Sequence, residues 1–178
     1  SLKSFLTNKF SINNLQVSSK AIKINDLILL ARSLKNSTEL FMLDKIIKAG
    51  FLIADIKINF DEDGKIKNDY EVSGFVKNAQ ITTFKKYDIK NLDFLFKIKK
   101  NDYILEEIEA KIDQLKLSAP QIKIKEKKDN FEINGKIVTA KEDINITILN
   151  NLFNTSLSNL KIEDIIFSSE NNFSIDIN

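Results

Sequence analysis

The chain has 178 residues, 27 of them basic and 25 acidic, with no histidine and no cysteine. That length supports one domain with a substantial core, and the missing residue types exclude a Ser-His-Asp triad, a thiolate nucleophile, disulfides and the ordinary histidine- or thiolate-ligated zinc site. A net charge of +2 without a basic stripe gives no footprint for nucleic acid, and no apolar run approaches the roughly 20 residues of a membrane-spanning helix. Ser1 in first place reads as the start of an excised piece of a longer protein.

In chain order, residues 9–17 are expected to form the first strand, with Phe10, Ile12, Leu15 and Val17 apolar and a change of register at Asn13-Asn14. A short strand over 21–24 leads to Asn25 or Asp26, either able to cap a helix running to about Leu34. Leu27, Leu30, Ala31 and Leu34 fall on one face of that helix and are expected to be buried. Ser37 caps a second helix, with Leu40, Leu43 and Ile47 as its buried stripe and Gly50 as its left-handed stop.

After Gly50 the period changes from about 3.6 to about 2. Leu52, Ala54, Ile56, Ile58 and Phe60 alternate with polar residues, and Asp63-Gly64 marks a hairpin turn. A strand over 67–80 carries Tyr70, Val72, Gly74 and Val76 in phase, and the next carries Leu92, Phe94, Phe96 and Ile98, ending in a turn at Asn101-Asp102. The chain returns through Ile104, Ile108, Ala110 and Ile112, slips phase near Asp113 to Leu115, Leu117 and Ala119, and continues past Pro120 with Ile122 and Ile124. A turn at residues 128–130 leads to a strand with Ile133, Gly135 and Ile137, then to another with Ile144, Ile146 and Ile148. Residues 150–159 form a polar crossing or short helix, and two closing strands are expected over 160–167 and 173–177. The expected organisation is therefore one mainly β unit: leading strands in 1–25, a helix pair in 26–50, a meander in 51–149 and closing strands in 150–178. Its sheet is long, twisted and predominantly antiparallel.

Tyr70-Glu71-Val72-Ser73-Gly74-Phe75-Val76 and Phe131-Glu132-Ile133-Asn134-Gly135-Lys136-Ile137 repeat one pattern: aromatic, acid, β-branched, polar, glycine, any residue, β-branched. A glycine on the apolar face of a strand either lets a curved sheet bend and another body come close, or relieves crowding in an ordinary core. The carboxylates offer no strong catalytic site. Glu107 and Glu109 flank Ile108 and belong to a solvated face, and Asp61-Glu62-Asp63-Gly64 lacks the later ligands of a calcium loop. No catalytic residue, metal site or cofactor is assigned, and the chain is not expected to be an enzyme.

The helix pair, the spacing Gly50-x-x-x-x-Asp55-Ile56-x-Ile58, Asp63-Gly64, Tyr70-x-Val72-x-Gly74-x-Val76-x-x-Ala79 and Asn91-Leu92-Asp93-Phe94 together resemble the AsmA-like superfamily, over about residues 24–149. Its YhdP- and TamB-type members are large periplasmic bridge-like lipid transfer proteins. The resemblance implies a sheet curved into an open, greasy β-groove that carries phospholipid acyl chains between the inner and outer membranes. It further implies neighbouring repeats in the same chain and a parent protein anchored in the inner membrane, with a role in outer membrane biogenesis. The residues expected to contact acyl chains are Ile56, Ile58, Val72, Val76, Phe94, Phe96, Ile98, Ile108, Ile112, Ile122, Ile124, Ile133, Ile137, Ile146 and Ile148. Such contact must offset about 0.8 kcal/mol for each CH2 taken out of the bilayer. The alternative is a structural or adhesive β-rich segment whose apolar face is filled by its own side chains and whose partners are proteins.

Overall fold

A computed structural model describes residues 13–34, 37–67, 69–82, 88–112, 115–128, 130–153 and 165–177. Nine antiparallel strands form one sheet: β1 (Asn14–Ser18), β2 (Ile22–Lys23), β3 (Ile47–Asn59), β4 (Glu71–Thr82), β5 (Asp88–Lys99), β6 (Asp102–Ile112), β7 (Leu115–Glu126), β8 (Phe131–Ile144) and β9 (Ile165–Ile177). Helices α1 (Ile24–Leu34) and α2 (Thr38–Ile46) lie between β2 and β3, and α3 (Ile146–Phe153) follows β8. From β3 to β9 every strand pairs with its sequence neighbours, while β1 and β2 follow one another along the outer side of β3. β1 and β9 do not pair, so the sheet is open and not a barrel.

The period-2 pattern places apolar side chains in rows that run across the strands. One row passes through Val17, Ile56, Val72, Ile98, Tyr103, Ile124, Ile133 and Ile175, joining β1 to β9. Next to it run Ala54, Gly74, Phe96, Leu105, Ile122, Gly135 and Phe173. At a strand spacing of about 4.8 Å, the eight-strand row is about 34 Å long. A third row, Ile47, Ile81, Ile89, Ile112 and Leu115, lies toward the other end of the strands.

Bulges separate the third row from the first two. Positive φ angles at Asn78 (52°), Asn91 (49°) and Glu107 (52°), together with Gly50 (135°), mark extra residues in β3 to β6. The register also shifts between Ser118 and Ile122 in β7 and between Thr139 and Glu142 in β8. Each insertion flips the side-chain phase, so an apparent break in alternation returns the apolar residues to the same face. Pro120, which cannot donate to a ladder, falls inside the β7 irregularity.

Several sequence expectations change here. The strand through Ile104, Ile108, Ala110 and Ile112 is not in one phase: Tyr103 and Leu105 pair with Ile98 and Phe96, Ile104 pairs with Lys97, and the switch occurs at Glu107. The phase slip expected near Asp113 lies outside the described residues, and the segments on either side of it belong to two adjacent strands in which Ile112 pairs with Leu115. The expected strand through Ile144, Ile146 and Ile148 ends at Ile144, where helix α3 replaces it. Two closing strands are one, β9, and residues 160–164 lie outside the described set.

Gly50 does not stop α2. That helix ends at Ile46 with Ile47 already extended, and Gly50 is a buried residue inside β3. A Cβ there would come within 2.8 Å of Ile24 Cδ1 and 2.9 Å of Ala79 Cα, so the glycine lets α1 approach the sheet. Asn25 does not cap α1, which begins at Ile24; its Nδ2 instead donates to the Ile47 carbonyl at 3.1 Å. Ser37 does cap α2, accepting the Leu40 amide at 3.3 Å. The loop at Asp61 also forms as expected, with Gly64 N donating to Asp61 O and the Asp61 carboxylate accepting from Asp63 N and Lys65 N. Of the expected 9–17 strand, Asn14–Ser18 is strand and residues 9–12 lie outside the described set.

The core is thin. Ala54, Val76, Ala79 and Phe96 form one buried cluster, and Leu115 with Ile148 a second. The accessible surface is 13495 Å², whereas a compact 20.4 kDa monomer exposes about 8,800 Å². An open single-layer sheet, which has no second layer over most of its area, contributes to that excess.

Candidate functional site

The first two rows form the floor of a groove with a cavity of about 500 Å³. Strands β3 to β7 contribute Leu52, Ala54, Ile56, Val72, Val76, Phe94, Phe96, Ile98, Tyr103, Leu105 and Ile124. Ser19, Ile22 of β2 and Leu27 of α1 form its wall on the β3 side. The cavity thus spans five adjacent strands and is closed on one side by α1 and β2. The bulges, each of which increases the local bend and twist of its strand, lie beyond it toward the third row.

The wall is apolar because its polar groups are turned away or satisfied. Ser19 sits in the gap between β1 and β2, where its Oγ accepts the Ala54 amide at 2.9 Å and its own amide donates to Ala54 O at 2.8 Å. The Tyr103 hydroxyl donates to Glu126 Oε2 at 3.2 Å, and burial followed by the Glu126 charge holds its pKa above the ordinary tyrosine value. Phe94 and Phe96 meet edge to face, with centroids 6.5 Å apart. The groove has an open side: Ile56 keeps 37 % of its surface exposed, and Val17 at the β1 end of the same row keeps 47 %.

The opposite face is wet and charge-paired. Lys99 pairs with Glu71, Lys97 with Glu106, Lys77 with Asp93, Lys116 with Glu142, Lys127 with Glu132 and Lys136 with Glu170, all between strands or at a turn. Glu107 and Glu109 are both exposed, as a solvated face requires. The Asp93 carboxylate is partly desolvated, which alone would raise its pKa, but the Lys77 ammonium and the Asn78 amide hold it below the ordinary value. Among the described residues no group of three or more aspartates or glutamates is placed to hold a metal ion.

Of the expected contact residues, the cavity gathers Ile56, Val72, Val76, Phe94, Phe96, Ile98 and Ile124. Ile122 and Ile133 continue its rows through their pairing with Leu105 and Ile124. Ile58 pairs with Leu15 at the β1 edge, Ile108 and Ile112 lie beyond the Glu107 bulge, and Ile137 lies beyond Gly135 toward Asn171. Ile146 and Ile148 are not on a strand at all; α3 packs Ile148 against Leu115, with Leu117, Ile165 and Phe167 around them. The lane is therefore a groove over one section of the sheet, and a helix fills the second section.

Tyr103, Leu105, Ile22 and Leu27 belong to the wall and were missed. For Tyr103 and Leu105 a signal exists. Reflecting β5 through its two-residue turn puts Tyr103 opposite Ile98 and Leu105 opposite Phe96, a pairing that alternation within β6 alone conceals. Ile22 and Leu27 carry no such signal, because their place depends on how α1 docks.

No protein-family model, curated protein or solved structure matches the chain.

Proposed function

We propose that this chain is a lipid-binding segment whose open β-groove takes phospholipid acyl chains, as part of a periplasmic lipid-transfer protein of the AsmA-like kind. The observation that carries this is the groove itself: an apolar wall, a volume of about 500 Å³, and an exposed rim. Small-molecule sites commonly occupy about 300–1,000 Å³ and use a few polar groups to orient their ligand; a wall with no inward polar group suits a hydrocarbon chain. Passage between the inner and outer membranes, and neighbouring repeats extending the sheet, come from the resemblance in sequence.

A scaffold with protein partners is the second reading. It is favoured by the other half of the sheet, where α3 seats Ile148 on Leu115 and fills the apolar face from within.

Uptake of a fluorescent fatty acid, followed by its emission on titration, tests the proposal. Ile56→Glu places a carboxylate on an exposed part of the wall and is expected to weaken uptake by about tenfold or more with the circular dichroism spectrum unchanged. A wild-type protein that takes up no fatty acid would favour the scaffold.

A further inference from the structure

The groove ends before the rows that form its floor. Its cavity reaches Leu105 of β6 in one row and Ile124 of β7 in the other, and neither Ile122, Gly135 nor Phe173 lines it. Yet these three residues carry the row of Leu105 on through β7, β8 and β9. A side chain on these strands closes the lane.

Gly135 sits between Ile122 and Phe173 with no side chain of its own. A Cβ built there would lie 2.8 Å from Phe173 Cζ, 3.0 Å from Phe173 Cε1 and 3.0 Å from Ile122 Cγ1. The far edge of the ring therefore occupies the place where a β8 side chain would stand, and the Ile122 side chain meets that place from the other side. Directly paired residues share a face of the sheet, so the ring lies on the apolar face, across the lane. Its burial agrees with this. From Glu170 to Ile177 every residue of β9 is exposed except Phe173, although Ile175 and Ile177 are apolar and point to the same side. Folding inward over the glycine is what shields the ring.

We propose that Phe173 is the end wall of the groove and sets the longest acyl chain that the groove holds. This deepens the lipid-groove reading above and rests on it. From β3 to β7 the lane crosses four strand spacings, about 19 Å, and with the ring withdrawn it gains β8 and β9, about 10 Å more. Each CH2 moved from water into apolar contact strengthens binding about fourfold. A chain long enough to reach the added section gains from it, and a shorter one does not.

Competition of lauric, palmitic and arachidic acid against the fluorescent fatty acid reads out this preference. Wild-type protein is expected to bind palmitic acid more tightly than lauric acid and to gain nothing further from arachidic acid. Phe173→Ala is expected to raise the affinity for arachidic relative to palmitic acid by about tenfold or more, with lauric acid unchanged. Phe173→Leu keeps an apolar side chain that is too short to cross β8; it is expected to shift the ratio in the same direction and carries the test should the alanine variant not fold. Ile175→Ala, on the same strand and face but not opposite Gly135, is expected to leave the ratio unchanged. An unchanged ratio in the folded Phe173 variants, or an equal shift in Ile175→Ala, overturns the end wall and leaves the groove standing. Absence of wild-type uptake at every chain length overturns both.

Discussion

Gly74 and Gly135 occupy equivalent places in the repeated motif and fall in the same cross-strand row, each opposite a phenylalanine: Gly74 pairs with Phe96 and Gly135 with Phe173. Their environments differ nonetheless. A Cβ on Gly74 would overlap the Ile53 carbonyl oxygen and come within 2.9 Å of Ala54 Cα, both backbone of β3. A Cβ on Gly135 would meet Phe173 Cζ at 2.8 Å and Ile122 Cγ1 at 3.0 Å, which are ends of side chains. Backbone cannot yield without breaking the ladder, whereas a ring can tilt. Gly74→Ala is therefore expected to cost about 2 kcal/mol or more and Gly135→Ala under about 1 kcal/mol, read from urea denaturation. The two explanations weighed for these glycines divide between them, with close backbone approach at Gly74 and room for a neighbouring ring at Gly135.

At the level of the strand, the phase changes decide which side chains face the groove. Glu107 is the clearest case, because an L-residue with a long side chain holds φ at 52°. Left-handed geometry costs about 1–2 kcal/mol for such residues, and glycine avoids most of it while adding backbone entropy to the unfolded chain. Glu107→Gly is expected to raise stability by about 0.5–1 kcal/mol, and Glu107→Val to lower it by about 1–2 kcal/mol. Equal urea midpoints for the three proteins would show that the bulge does not sit at Glu107. The helices show the converse effect. Their 3.6-residue spacing is present in the sequence, yet Leu30 and Leu34 on α1 and Leu43 on α2 stay exposed: α1 sets Ile24 against Gly50 and buries Ile28, which leaves the next stripe uncovered.

For the molecule as a whole, an open sheet leaves little core, and the outer face is held by cross-strand charge pairs. Glu71, Asp93, Glu106, Glu132 and Glu142 all have pKa values below their ordinary ones, chiefly through hydrogen bonds to lysines or, for Glu142, to the Lys116 amide; at Asp93 these outweigh desolvation. In the unfolded chain these groups return to ordinary carboxylate values, so on acidification the unfolded state takes up protons first and stability falls with pH. The contribution is complete above about pH 5 and is lost as the pH drops below about 4 through the depressed folded values. Melting temperature is expected to be flat from neutral pH to about 5 and to decline below about 4. Asp93→Asn should flatten part of that decline, and added salt should weaken it, as surface pairs are screened. A pH-independent melting temperature down to strongly acid solution would mean that the outer-face pairs contribute nothing.

The sequence by itself determined the fold class, the antiparallel meander, most strand centres, the Ser37 cap, the turn at Asp61 and the identity of one wet and one apolar face. Those features follow from local period and turn chemistry, which act within a few residues. The choice of Tyr103 and Leu105 over Ile104, the Glu107 bulge, the helical state of Ile146 and Ile148 and the seat of α1 on Gly50 depend on contacts between distant segments. Isoleucine at every second position satisfies a strand and an apolar helix turn alike, so periodicity could not assign α3. Only the paired registers decided that the apolar face is an open groove beneath α1 and a filled core beneath α3.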